Sequence, residues 1–117
     1  MPQLSLSLLS QKGKIMIRKI CKALGKSYVI KVIDLEEVIY RDFKNGFDVE
    51  ISCCHKKKVN IYLWLNDNHT YVIARSLFGV PKQQIAETVE KLCLYSEQLI
   101  SEGKNNAAML MEVKHHA

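Results

Sequence analysis

The chain has 117 residues and a formal net charge of +5, with 48% hydrophobic and 25% charged residues. This length is typical of one domain, and the composition is that of a globular protein rather than of a disordered chain. The positive charge is weak support for acidic partners or nucleic acid, because a charge of this size also serves solubility.

No apolar run approaches the roughly 20 residues that a membrane-spanning helix needs. The segment from Leu4 to Leu9 is too short and too polar for the core of a signal peptide, and no basic residue precedes it. We therefore expect a cytoplasmic protein without membrane contact, in which the cysteines are reduced thiols. These cysteines are Cys21, Cys53, Cys54 and Cys93.

A basic helix is predicted first, from about Ser10 to Leu24. Gly25 stands where a helix commonly ends, whereas Gly13 weakens the start. Apolar residues recur at helical spacing and form a narrow stripe: Met16, Ile17, Ile20 and Leu24. Cations surround that stripe: Lys12, Lys14, Arg18, Lys19 and Lys22.

Antiparallel strands are predicted next. A short first strand spans Tyr28 to Ile33, followed by a turn at 34–36. Between Leu35 and Ser76, three apolar runs are punctuated by polar stretches at 45–46, 55–58 and 66–69. Such punctuation indicates successive strands of a meander, so we expect a four-stranded antiparallel sheet.

The first hairpin of this meander has two alternative registers. A three-residue loop at Lys44-Asn45-Gly46 places Ile39 opposite Ile51, whereas a two-residue Asn-Gly loop places Tyr40 opposite Ile51. The two registers turn opposite faces of the strand toward the core, and the sequence leaves both open.

The other two hairpins each suggest one register. The second pairs Ile51 with Ile61, and the third, with a turn at 67–68, pairs Leu63 with Val72 and Trp64 with Tyr71. Alternation then predicts an inward, apolar face. This face carries Val49, Ile51, Ile61 and Leu63.

A long amphipathic helix is predicted after Gly79-Val80-Pro81, with Pro81 at the first helical position and Gly103 at the end. Its apolar face carries Ile85, Val89, Leu92, Cys93, Ser96, Leu99 and Ile100. The order α-β-β-β-β-α predicts a two-layer α+β sandwich in which both helices cover the inward face of the sheet. Residues 1–103 form this single domain, and residues 104–117 are a flexible or short helical tail.

The uncovered face of the sheet is the first candidate site. By alternation it carries two carboxylates, Asp48 and Glu50, beside an aromatic and apolar patch. We predict that this patch binds another protein or a second copy of the chain. The predicted contact residues are Tyr62, Trp64, Tyr71, Ile73 and Glu50. The alternatives are ordinary cross-strand stabilisation, or cover of this face by the N-terminal segment or by the tail.

The basic surface is the second candidate, because phosphate neutralisation needs clustered cations. The candidate nucleic-acid-binding residues are Lys14, Arg18, Lys22, Lys56, Lys57 and Lys58. The motifs of helix-turn-helix, zinc-finger and single-strand-binding proteins are not found in the sequence. A small basic regulatory factor of this kind also suits a phage or a mobile element.

Catalysis and cofactor binding are not expected. A thiol nucleophile at Cys54 would need a base held in place and an oxyanion site, and neither is identifiable. A metal site at Cys53, Cys54 and His55 lacks any Cys-x-x-Cys pair, and the glycines form no phosphate-binding loop. We therefore predict a non-enzymatic protein without metal or small-molecule cofactor.

The layout of the segment from Ile20 to Leu99 resembles the YbjN and type III secretion chaperone-like group. The resemblance rests on a helix ending in Lys22-Ala23-Leu24-Gly25, on the meander, and on the segment 75–81 that opens a long amphipathic helix. It covers about two thirds of the chain. It implies an α+β domain without enzymatic activity, often dimeric, that binds other polypeptides. Secretion chaperones of this type are generally acidic and carry a further strand-helix insertion, whereas this chain is basic and shows no such insertion.

Overall fold

The structure, a computed structural model, describes the backbone of residues 2–116 and the side chains of residues 12–111. Helix α1 (Pro2–Leu24) is followed by five strands: β1 (Val29–Ile33), β2 (Glu36–Asp42), β3 (Phe47–Ser52), β4 (Lys58–Asp67) and β5 (Thr70–Pro81). A 3₁₀ turn (Lys82–Gln84) leads into helix α2 (Ile85–Ser101), and helix α3 (Ala107–His116) ends the described chain. None of the helices in the described part is long and apolar enough to cross a membrane.

The strands form one antiparallel sheet in the order β1-β2-β3-β4-β5. The α+β class and the antiparallel meander are thus confirmed. The sheet has five strands rather than the predicted four, because the segment between Leu35 and Ser76 contains four strands separated by three turns, and β1 adds the fifth.

The first hairpin adopts the three-residue loop, which pairs Ile39 with Ile51. Lys44 takes a positive φ of 59°, and its N–H donates to Asp42 Oδ1 over 2.8 Å. The N–H of Phe43 closes the loop by donating to the carbonyl of Phe47 at 3.1 Å. This register directs Ile39 toward the core. The second hairpin pairs Ile51 with Ile61, as predicted.

The predicted register of the third hairpin is wrong by two residues. The turn lies at Asn68 and His69, with φ values of 46° and 69°, instead of at 67–68. The N–H of His69 donates to Asn66 Oδ1, which stabilises this position of the turn. As a result Trp64 pairs with Ile73 rather than with Tyr71. Because the error is an even number of residues, it leaves these side chains on their predicted faces.

The hydrophobic core lies between the inward face of the sheet and the helices. Val49, Ile51, Ile61 and Leu63 are all 0% exposed, which confirms the predicted inward face. Helix α2 contributes Ile85, Val89, Leu92 and Leu99. Helix α1 contributes Ile17, whereas Met16, predicted in the same stripe, is 40% exposed. The inward side of α1 instead follows Ile17, Ile20, Cys21 and Leu24, and the helix begins at Pro2 instead of near Ser10.

Helix α2 begins and ends close to the predicted residues. Pro81 is the last residue of β5, with φ −60° and ψ 142°, so it precedes the first helical turn instead of standing inside it. At the other end, Gly103 takes a φ of 69° and donates its N–H to the carbonyl of Ile100. The chain then turns into α3, whose Leu110 is 1% exposed and belongs to the core.

Candidate protein-binding face

The side of the sheet opposite the core, here called the outer face, brings the predicted patch together. Asp48 pairs with Trp64, and Glu50 pairs with Tyr62, so each carboxylate lies directly across from an aromatic ring. Trp64 in turn pairs with Ile73 on the next strand. Tyr71 lies at the start of β5, next to the β4–β5 turn, and is 58% exposed. The six predicted side chains therefore occupy one continuous surface across β3, β4 and β5.

Two hydrogen bonds connect the aromatic side chains of this face to the carboxylates. Trp64 Nε1 donates to Glu50 Oε1 at 3.2 Å, and the hydroxyl of Tyr40 donates to Asp48 Oδ2 at 3.1 Å. Both contacts satisfy the polar atom of a large aromatic ring and leave the rest of the ring as apolar surface. The carboxylates thus hold the two rings in place on the outer face.

The two carboxylates of the outer face are partly buried, and a cation of the same chain lies near them. Burial raises the pKa of Asp48 and of Glu50, and the hydrogen bonds from Tyr40 and Trp64 offset this only in part. Burial and the neighbouring Asp48 also raise the pKa of Tyr40. Lys31 Nζ already lies 3.6 Å from the centre of the Tyr40 ring, which is the geometry of a cation–π contact. The charge of Lys31 also lowers the pKa of Asp48, so one cation of the chain already interacts with this mixture of rings and carboxylates.

Two aromatic residues of the outer face were missed by the sequence argument. Phe78 is 70% exposed, and its ring lies edge-on to Tyr62 with centroids 5.9 Å apart. Alternation from Tyr71 and Ile73 would place Phe78 on the inward side. Irregularities in the pairing of β4 with β5 change that alternation, so that Tyr62 pairs with Ser76 and Phe78 follows on the same side. The residue pattern of β5 does not indicate this change of alternation.

Tyr40 was missed for a different reason. Its face depends on the register of the first hairpin, which the sequence left open. Once Ile39 is directed toward the core, alternation places Tyr40 on the outer face, where it pairs with Glu50.

The predicted basic residues occupy a separate region. Lys14, Arg18 and Lys22 are exposed and lie four residues apart along α1. The start of this row approaches the turn that carries Lys56, Lys57 and Lys58, because a Cβ at Gly13 would lie 3.6 Å from the Cβ of His55. A groove of about 720 Å³ lies beside this approach, and its charged lining consists of Lys12, Lys14, Glu36 and Glu37. The basic row of α1 therefore meets the lysine-rich turn at one end only, close to the carboxylates of Glu36 and Glu37.

Cys53, Cys54 and His55 lie in the turn between β3 and β4. Cys54 is 3% exposed, and burial raises the pKa of its thiol to about 11, so the thiol is protonated at neutral pH. Among the side chains of residues 12–111, no group of three or more His, Cys, Asp or Glu residues is arranged to hold a metal ion.

Comparison of the chain with models of protein families, with curated proteins and with solved structures found no match. The resemblance to the YbjN and type III secretion chaperone-like group therefore stays a prediction.

Proposed function

We propose that the protein is a non-catalytic protein-binding module, acting as an adaptor, a chaperone-like protein or an inhibitor, and that its outer face binds another polypeptide. The observation that carries the proposal is a row of aromatic side chains on a sheet face turned away from the core. In that row, exposed Tyr71 and Phe78 flank half-buried Trp64 and Tyr62. Aromatic patches with a polar atom already satisfied are typical of contact surfaces.

The carboxylates of this face indicate the chemistry of the partner. Asp48 and Glu50 lose hydration among the rings, as their raised pKa values indicate, and a cation from a partner would compensate for that loss. Lysine and arginine side chains also bind the faces of tyrosine and tryptophan rings. The proposed partner therefore presents apolar side chains together with at least one lysine or arginine.

The test compares proteins captured from cell extract on the immobilised chain and on three variants. Trp64→Ala and Phe78→Ala each remove a ring from the outer face, whereas Leu94→Ala removes an equally apolar side chain, 66% exposed, from the surface of α2. We expect a partner that is retained by the parent chain and by Leu94→Ala and lost with the two outer-face variants. Circular dichroism establishes that all four proteins are folded.

The captured partner is then titrated in purified form. Trp64 is the single tryptophan of the chain, so its fluorescence reports directly on the outer face. We expect a shift of its emission to shorter wavelength on binding, and an affinity about tenfold weaker for Phe78→Ala. If the folded Trp64→Ala and Phe78→Ala proteins bound the partner as tightly as the parent chain does, the proposal would be contradicted.

Nucleic-acid binding is a second candidate function, favoured by the way α1 approaches the lysine-rich turn at 56–58. Two groups of cations that lie about 40 residues apart in the sequence are thereby brought next to each other. The carboxylates of Glu36 and Glu37 line the groove beside Lys12 and Lys14 and oppose phosphate binding, which makes this the weaker candidate.

The test of the second candidate is the salt dependence of binding to a labelled duplex and to a labelled single strand. If the basic residues neutralise phosphates, the logarithm of the binding constant falls linearly with the logarithm of the salt concentration. The double variant Lys14→Gln/Lys57→Gln reduces the slope, whereas Lys91→Gln on α2 leaves it unchanged. The candidate is rejected if neither probe binds at low salt.

A further inference from the structure

The two edges of the sheet differ in how they are protected from pairing with another strand. At the β5 edge, α3 packs against the strand, the pairing with β4 is irregular, and Pro81 lies at the end. At the β1 edge, five consecutive residues pair regularly with β2, and the sequence Val-Ile-Lys-Val-Ile has no proline. Its one charged residue, Lys31, lies over the ring of Tyr40. Helix α1 contacts β1, and this short strand carries one lysine, but among the described residues its edge has neither a pairing irregularity nor a proline. The β1 edge therefore has fewer of the devices that usually prevent strand addition than the β5 edge.

The backbone of β1 has groups directed at this open edge. Ile33 and Glu36 flank the two-residue turn at Asp34-Leu35, so they exchange hydrogen bonds with one another. Because bonding alternates along an antiparallel strand, Val29 and Lys31 also direct their backbone groups at β2. Ile30 and Val32 direct theirs at the open edge, where Val32 is 68% exposed.

The turn that follows β1 carries an unusual residue at its tip. Leu35 is 100% exposed and has a φ of 66°, a left-handed conformation that leucine rarely adopts. Left-handed positions of this kind of turn are normally occupied by Gly, Asn or Asp. Leu35 lines the mouth of the groove beside α1, but at 100% exposure it buries no apolar area against the described residues. Backbone strain of this kind clusters at functional and contact sites. Asp34 and Glu36 flank Leu35 and make the tip acidic.

A matching groove lies at the opposite end of β1, between that strand and α1. This edge groove has a volume of about 480 Å³. Its apolar wall includes Cys21, Tyr28 and Ile30, and its cations are Arg18, Lys22 and Lys26. The groove therefore offers an apolar surface bordered by positive charge, which complements the exposed leucine and the carboxylates of the tip.

We propose that two copies of the chain associate through their β1 edges, with the tip of each copy bound in the edge groove of the other. Antiparallel pairing of β1 with β1 about a two-fold axis brings the end of each strand to the start of its neighbour. The same symmetry thus places the acidic tip of each copy at the basic groove of the other copy. This charge complementarity within a single sequence identifies a second copy as the occupant of the edge. The inference is independent of the proposed function, since it leaves the outer face open on both copies.

The first test is the mass in solution by light scattering. We expect twice the 13.4 kDa of one chain. In Leu35→Gly, self-association should be about 100-fold weaker because two buried leucine side chains are lost from the symmetric interface. The melting temperature of the dissociated chain should not fall, since glycine relieves the left-handed backbone.

A matched control exists in the same sheet. His69 occupies the corresponding position of the β4–β5 turn, with a φ of 69°, and is exposed. His69→Gly relieves equivalent strain and should leave self-association unchanged. Equal weakening by the two glycine variants, or a mass of one chain at every protein concentration, would overturn the inference.

A charge swap tests the pairing of tip and groove directly. Lys22→Glu/Lys26→Glu makes the groove acidic, and Asp34→Lys makes the tip basic, so each protein alone should be monomeric. In an equimolar mixture the acidic groove faces the basic tip, and the unaltered groove faces the unaltered tip, so the dimer should return. Failure of the mixture to associate would exclude the proposed geometry, as would a dimer that depends on Trp64 instead of on Leu35.

Discussion

The two faces of the sheet are built from alternate residues of the same strands and differ in what closes them. Along β4, Ile61 and Leu63 are fully buried beneath the helices, whereas Tyr62 and Trp64 are only half-buried on the outer face. Along β4 the inward face consists of aliphatic side chains that are fully buried. The outer face combines large rings with carboxylates that hold them. The helices therefore bury the inward face completely, whereas the outer face keeps exposed apolar surface and charge that the proposed partner could contact.

The largest expected effect comes from a cavity on the inward face. Leu63→Ala should reduce the free energy of unfolding by about 3 kcal/mol, because Leu63 is 0% exposed and its neighbours can collapse only in part. Tyr71→Ala, at a 58% exposed position on the outer face, should cost less than about 1 kcal/mol. Urea denaturation measures both values. Similar losses for the two variants would mean that the faces do not differ in their contribution to folding.

Arg41 is an exception to the comparison, since it pairs with Val49 and so points to the inward side. Its guanidinium is stabilised by Glu90 on α2, with Nη1 2.6 Å from Oε1, and by the hydroxyl of Tyr28 at 3.3 Å. The guanidinium carbon also lies 5.4 Å from the centre of the Tyr28 ring. A cation is thus accommodated at the border of the core by hydrogen bonds and a ring.

Replacing this cation is the second prediction. Arg41→Ala should cost about 2 kcal/mol, because it removes the packing of a long side chain together with a hydrogen bond to Tyr28 and an ion pair. Glu90→Gln should cost less than about 1 kcal/mol, since the Glu90 side chain is 63% exposed and the surrounding water screens the pair. Both costs are measured by urea denaturation. If Glu90→Gln proved as damaging as Arg41→Ala, the ion pair rather than the packing would carry the effect.

A smaller effect is expected where two rings meet on the outer face. Tyr62 and Phe78 form an edge-to-face pair, and such pairs contribute about 0.5–1.5 kcal/mol beyond the area they bury. Because Phe78 is 70% exposed, a coupling near about 0.5 kcal/mol is expected from a double-mutant cycle of Tyr62→Leu and Phe78→Leu. Additive effects of the two changes would show that the rings are neighbours without energetic coupling.

The sequence predicted the faces of β3 and β4 because a one-residue slip would bury Asp48 and Glu50 in place of Val49 and Ile51. It could not choose the register of the first hairpin, since both loops are compatible with Asn45-Gly46. It also missed the change of alternation in β5, which depends on tertiary pairing rather than on any residue type. Consequently the centre of the candidate site was predicted, whereas Phe78 and Tyr40 at its borders were not.

The helix boundaries show the same division between local pattern and tertiary contact. The glycine at 103 was sufficient to predict the end of α2, because a left-handed residue closes the last turn. The burial of Ile17 in preference to Met16 depends instead on the angle at which α1 meets the sheet. That angle is determined by the whole core and has no signature in the helix itself.

The smallest expected effect concerns pH and the two carboxylates of the outer face. Their ordinary pKa values of 3.8 for Asp48 and 4.5 for Glu50 are raised in the folded protein, chiefly by burial. The folded protein therefore binds these protons more tightly than the unfolded chain. The resulting stabilisation is complete below the ordinary values and is lost as the pH rises through the raised ones.

Asp48→Asn and Glu50→Gln remove these charges while keeping an oxygen that accepts the hydrogen bond from Tyr40 or Trp64. Each should stabilise the protein at neutral pH by no more than about 1 kcal/mol, because both sites retain access to water. The gain should shrink as the pH falls toward 4.5, where the natural carboxyls also become neutral. Thermal unfolding at a series of pH values measures this trend, and Glu87→Gln on the exposed surface of α2 is the control. A gain that does not depend on pH would show that the amides stabilise by packing. A gain that disappears at low pH would establish that the outer face maintains two costly charges, which a cationic partner would neutralise.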